Sequence, residues 1–347
     1  MDTPSRTAAT DHHADPGRDV GPGFGPDADA GTADTVELSA GPLAYTTAGS
    51  ATGPTLVLLH GLMGDGSLWD ACVADLAADH RCVVPTLPLG AHRHAMRDDA
   101  DLSLTRIAAL VGEFLDTLGL DDVTLVGNDT GGALVQLLID DDDAARDATR
   151  EDGRHGTDRV ARVVLVSCDA FDNYPPGLTG RTLVLTGRLS PRLFGAFMQQ
   201  MRLRLVRRLP IAFGWLTRRG DAATARWMRP TYTRNDIRRD TVRVLRSARA
   251  DARALAAAGE RLPAYERPAL VVWASEDRVM PPAHGRRLAE LLPQGRLVEI
   301  DDSLTLIPLD QPERLAAAIR EFTAEGRGSA AGGAAEPGPA ASAATGD

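Results

Sequence analysis

The sequence predicts an α/β protein, a mostly parallel sheet flanked by helices and interrupted by an inserted helical segment. Strand-length apolar runs alternate with helix-period segments between residues 35 and 325. Several of those runs are continuously apolar, as strands covered on both faces require. One connection between strands, residues 170–267, is too long for a simple crossover, and its apolar positions recur at helical spacing.

In chain order, TVELS (35–39) and LAYTTA (43–48) form an antiparallel pair across Gly41-Pro42. TLVLLH (55–60) is a buried strand, and a helix begins at Ser67 with Leu68, Trp69, Cys72, Val73 and Leu76 on one face. RCVVP (81–85) is the next strand. From Leu104 to Leu118 an apolar stripe of Ile107, Leu110, Val111 and Phe114 marks a helix, with Ser103 as N-cap and Gly119 as its stop. VTLVG (123–127), RVARVVLVS (159–167), ALVVWA (269–274) and RLVEI (296–300) are further strands. Helices follow at 130–139, near 282–292 and at 312–324. The acidic stretch 140–158 reads as an exposed loop without chemistry. Residues 1–34 and 326–347 are poor in large apolar side chains and are expected to be disordered tails.

Composition narrows the function. The chain has 347 residues, 43% of them hydrophobic, enough for one large or two small domains with a real core. No apolar run approaches a membrane span, and the first thirty residues hold no secretory core. Three cysteines, Cys72, Cys82 and Cys168, lie far apart, which suits buried thiols in a reducing cytoplasm. All 38 basic residues are arginine. Without lysine there is no P-loop, no Schiff-base chemistry and no lysine base. No glycine-rich dinucleotide fingerprint stands after a strand either, since GDGSLW (64–69) lacks the third glycine.

Charge is segregated along the chain. Net charge is −10, yet residues 171–267 hold 20 arginines against 7 acidic residues, a net +13. Such a segment faces an anionic substrate, a membrane surface or nucleic acid, or its arginines pair with the acidic remainder and cover apolar surface with their stems.

The chemistry concentrates in LVGNDTGGALVQ (125–136), where a strand gives way to a helix at Asp129. An aspartate there is either a helix cap or a functional carboxylate. The glycines at 127 and 131 favour a sharp, strained turn, because a cap does not require them.

His60-Gly61 after one strand, G-x-D-x-G after a later one, a helical insertion, then ASED and IPLDQPE together resemble the α/β-hydrolase fold over residues 35–325. An aspartate at the elbow is similar to the haloalkane dehalogenase and epoxide hydrolase branch. The resemblance implies a core of residues 35–169 and 268–325, a helical cap at 170–267 and a small-molecule substrate. It implies Asp129 as nucleophile, the backbone N–H groups of Leu62 and Thr130 as oxyanion hole, and Asp277 of WASEDRVMPP as supporting acid. For Asp277 the other reading is an exposed turn residue beside Glu276. His60 is implied to be structural.

The pattern breaks at the histidine. The register set by Pro308 and Gln311-Pro312 puts Thr305 at its position, and a threonine hydroxyl is no general base near neutral pH. His284, or His92 and His94 on the loop after the fourth strand, are the alternatives by position. Thr130 stands where such enzymes carry a tryptophan, and Leu62 where they carry a halide-binding side chain. Tyr174 and Tyr232 are the tyrosines available to polarise an epoxide. No cofactor, metal or nucleic-acid partner is expected. Two functions remain: a hydrolase in which Asp129, Asp277 and Asp302 share the proton chemistry, or a binding protein that has kept the pocket and lost turnover.

Overall fold

The computed structural model describes residues 31–140 and 156–331. Among them, eight strands form one sheet in the order β1-β2-β4-β3-β5-β6-β7-β8. β1 (Thr32–Leu38) and β2 (Gly41–Gly49) form an antiparallel hairpin, and β2 also runs antiparallel to β4 (Arg81–Pro85). The remaining pairings are parallel, through β3 (Thr55–Leu59), β5 (Val123–Asp129), β6 (Val160–Cys168), β7 (Ala269–Ala274) and β8 (Gly295–Ile300). The continuous apolar runs have their cause here. Every residue of β5 and β7 is buried, with helices over both faces of the sheet.

The helices are α1 (Asp70–Leu76), α2 (Leu104–Thr117), α3 (Thr130–Ile139), α4 (Gly177–Thr186), α5 (Pro191–Met198), α6 (Arg204–Arg207), α7 (Asp221–Thr233) and α8 (Asn235–Arg261), then α9 (Pro282–Leu291), α10 (Ile307–Asp310) and α11 (Pro312–Ala331). Helices α4 to α8 occupy the long connection between β6 and β7. Helix α8 anchors this insertion by packing on α2 and α3 with a buried stripe that includes Ile237, Val244, Leu245 and Leu255. Among the described residues no helix is long and apolar enough to cross a membrane.

Three local expectations change. The first strand begins at Thr32, inside the expected tail, because Thr32, Ala33 and Asp34 pair with Thr47, Thr46 and Tyr45. An edge ladder needs backbone groups rather than apolar side chains, and these three residues are exposed. The last helix continues past residue 325 to Ala331 in spite of Gly326 and Gly328, two poor helix formers. Ser103 occupies the N-cap position of α2 without a side-chain cap bond. Asp251, reaching from α8, accepts the Leu104 amide instead at 3.0 Å. Most of the acidic 140–158 stretch lies outside the described residues, as do the other tail residues.

The sheet also fixes where a site can form. The chain leaves β3 toward β4 on one side and returns to β5 on the other. A crevice therefore opens beyond the C-terminal ends of β3 and β5. His60-Gly61-Leu62 follows β3, and Asp129 ends β5.

Candidate active site

Asp129 has φ 55° and ψ −127°, a conformation that a non-glycine residue adopts only where its surroundings impose it. The imposed shape is a hairpin-tight passage from β5 into α3. A Cβ on Gly127 would stand 2.4 Å from the Gly131 carbonyl oxygen, and one on Gly131 would stand 2.4 Å from the Leu59 carbonyl oxygen. No side chain fits at either position, so the glycines let the turn close against β3. The ladder to β6 is irregular at the same point, with a register shift between Asn128 and Asp129.

The turn drives the Asp129 carboxyl against the loop after β3. A Cβ on Gly61 would lie 2.1 Å from Asp129 Oδ2. The amides of Thr130 and Leu62 donate to that carboxylate and favour its charge. Burial opposes them and is the larger effect; with a further contribution from the Asp277 charge, it pushes Asp129 up to about 7. The two amides expected to serve a developing oxyanion thus hold the carboxylate itself in this structure.

Asp277 lies beyond β7 and is buried rather than an exposed turn residue. Its Oδ1 accepts the amides of Val279 and Met280, both at 2.9 Å, and the Thr305 hydroxyl at 2.8 Å. Burial pushes Asp277 up to about 6 against the pull of these donors. Oδ2 has no partner at hydrogen-bonding distance among the described residues. The nearby Ser167 hydroxyl, which favours the Asp277 charge, accepts the Ala274 amide at 3.0 Å. Thr305 is itself wholly buried, and its carbonyl accepts Asn128 Nδ2 at 2.8 Å. It therefore ties the acid's loop to the elbow strand.

A third buried carboxyl, Asp169, was not singled out from sequence. It follows β6, and its Oδ2 accepts the Thr130 hydroxyl at 3.0 Å while Oδ1 has no partner among the described residues. Burial, and then the Asp129 charge, raise it well above the usual carboxylate range. The available signal was only an acid just after an apolar strand, with no motif around it. Asp302, in contrast, is exposed and paired with Arg219, so it does not join the cluster.

The histidine alternatives separate clearly. His60 is buried. Its Nε2 accepts the Leu87 amide at 2.9 Å, which leaves Nδ1–H to donate to the Gly61 carbonyl at 2.9 Å. Both nitrogens are committed, and burial lowers its basicity. His92 does not reach a cavity mouth; it is buried 3.4 Å from Asp240 on α8. His94 is exposed, and His284 packs edge-on against Phe171. Among the described residues, no histidine lines the cavity over Asp129.

That cavity has about 890 Å³ of space, including its open mouth. Asp129 and Thr130 form part of its floor, with Leu62 and Met63 at one side. The insertion supplies most of the remainder, including Leu183, Phe197, Met201, Leu209, Phe213 and Met228. Tyr174 and Tyr232 do not line it. A largely apolar chamber with a carboxylate at its base suits a small organic molecule. No group of three or more potential metal ligands occurs among the described residues.

Comparison with known proteins agrees with this architecture. A family model described as the alpha/beta hydrolase fold matches residues 54–312. Haloalkane dehalogenase 2 of Mycobacterium bovis is 27% identical over 288 residues, 82% of this chain and 92% of that protein. Among solved structures, a haloalkane dehalogenase from Bradyrhizobium elkani superposes with a TM-score of 0.66 at 17% identity, covering 86% of this chain and 99% of that one. An α/β-hydrolase fold protein from Burkholderia ambifaria gives 0.63 at 22% identity, covering 83% and 97%.

Proposed function

The chain belongs to the α/β-hydrolase fold family and is a hydrolase of that superfamily, and on that premise we propose that Asp129 is its nucleophile toward a small, largely apolar organic substrate. One observation carries the reading: a carboxylate is held on a strained turn at the floor of an apolar cavity by two backbone amides.

An Asp129 oxygen attacks the electrophilic carbon, and the leaving group departs with the electron pair of the broken bond. The product is an ester on Asp129. Water then adds to the ester carbonyl, whose oxygen gathers negative charge beside the amides of Leu62 and Thr130. The proton released by that water passes to a carboxylate. Asp277, ionised above about pH 6 and carrying the unpartnered Oδ2, takes that proton as base and then serves as the supporting acid that gives it back; Asp169 is the second carboxyl of the cluster. Collapse returns the proton to the departing alkoxide and restores Asp129. Thr305 holds Asp277 and moves no proton, which makes release the slow step. Helices α4 to α8 act as the cap over this chamber. The three unpaired, buried cysteines favour a cytoplasmic setting.

Thr305 also supports a second reading, a binding protein without turnover, because its hydroxyl engages the acid where a base would otherwise stand. Incubation with alkyl halides, epoxides and esters, with product assay and intact-mass measurement, separates the two. The mycobacterial relative makes alkyl halides the first class to test. The nucleophile reading expects an adduct on Asp129, lost in Asp129→Asn and released slowly. Neither adduct nor product across the panel selects the binding reading.

A further inference from the structure

We propose that the outer face of the helical insertion docks on an anionic lipid surface, with the cavity mouth turned toward the lipid. The eight exposed large apolar side chains among the described residues all fall between Leu178 and Ile211. Leu203 and Leu205 are the extreme cases, 61% and 78% exposed. Scattered exposed leucines are ordinary, but their confinement to one segment is not. The segment also folds back on itself, since Thr179 Oγ1 donates to the Pro210 carbonyl at 2.8 Å and brings Leu178 near Ile211.

Charge selects the occupant. From residue 173 to residue 220 there are nine arginines and no acidic residue. Arg181, Arg188, Arg192, Arg202 and Arg208 are exposed, and none has a carboxylate partner among the described residues. Elsewhere in the insertion several arginines are matched, Arg234 with Asp236, Arg239 with Asp98 and Arg243 with Asp240, while Arg226, Arg229, Arg246, Arg249 and Arg253 on α7 and α8 are exposed. Five guanidiniums without a carboxylate partner, Arg181, Arg188, Arg192, Arg202 and Arg208, share the stretch that carries the exposed leucines, the combination that binds an anionic bilayer by charge and apolar insertion together. Nucleic acid would be met by aromatic platforms, whereas the outermost side chains here are aliphatic.

The cavity opens within this patch. Phe197, Leu209 and Ile211 are exposed and also line the chamber over Asp129. An apolar molecule dissolved in lipid would enter without crossing water. This entry route rests on the reading of Asp129 as the site of reaction; the docking does not.

The test is flotation of the full chain with vesicles of phosphatidylcholine alone or mixed with phosphatidylglycerol, at low and high salt. Binding is expected to the anionic vesicles and to weaken at least about tenfold in high salt. Arg181→Gln, Arg188→Gln and Arg192→Gln combined should weaken it about a hundredfold. Leu203→Glu with Leu205→Glu should weaken it at least about tenfold. Circular dichroism should show these surface variants folded as the parent. Asp129→Asn should bind vesicles as the parent does, so loss of chemistry and loss of docking are told apart. Absence of binding, equal binding to neutral vesicles, or indifference to the variants overturns the proposal. So does self-association that the leucine variants abolish while vesicles go unbound.

Discussion

At Asp129 one carboxyl is both stripped of water and held by two amides, and the balance places its titration at about 7. The folded chain binds this proton more tightly than the unfolded chain, where an aspartate titrates near 3.9. The stabilising protonated form is therefore fully present below about pH 4 and is lost as pH rises through about 7. Asp129→Asn should accordingly raise stability by roughly 2–4 kcal/mol at pH 8, with the gain shrinking toward pH 4, as urea unfolding at both pH values would show. Adduct formation should run the opposite way, rising through about pH 7 as the proposed nucleophile ionises; a flat profile counts against carboxylate attack. Under the proposed mechanism Thr305→His places a base beside Asp277. Hydrolysis of a preformed adduct should accelerate by about a hundredfold or more, while its formation changes little, measured by the decay of intact mass. Asp129 was legible because its turn requires glycines at fixed spacing. Asp169 was not, because it meets the site only through strand adjacency, and single-sequence reading does not give strand order.

The elbow and the insertion show at the level of elements why some boundaries were readable. A strand buried on both faces must be apolar throughout, so β5 and β7 are visible as runs. An edge ladder such as the start of β1 places no such demand, and its first residues resemble a tail. Ser103 satisfied every local rule for a cap, yet the bond came from Asp251 on a helix distant in sequence. Gly131→Ala tests the elbow's close packing directly. Its new methyl would fall 2.4 Å from the Leu59 carbonyl oxygen, where only backbone movement makes room. A loss of at least about 2 kcal/mol is expected by chemical denaturation, with adduct formation falling further than stability alone explains.

Across the whole molecule the insertion is bound to the sheet by buried polar links as well as by apolar packing. Asp240 accepts the Met96 amide at 2.8 Å and Asp251 accepts that of Leu104, so α8 closes loops belonging to the core. Thermal unfolding should then be a single cooperative transition; two resolved calorimetric peaks would show an insertion that melts independently. The succession of strands and helices along the chain and the place of the insertion were readable from alternation and length; the spatial order of the strands was not. The direction its arginines face was not, since that depends on which ones α8 matches with carboxylates. The all-arginine composition has one more consequence when joined to the thiols. Burial pushes Cys82 up to about 12 and also raises Cys72 and Cys168 well above the usual thiol range, and all three are enclosed. With neither lysine amines nor accessible thiolates to compete, an electrophile meeting this protein finds few reactive sites besides the elbow. A mass shift on alkylation is thereby narrowed to a short set of candidates, the elbow carboxylate and histidines such as the exposed His94 among them, before any mapping is done.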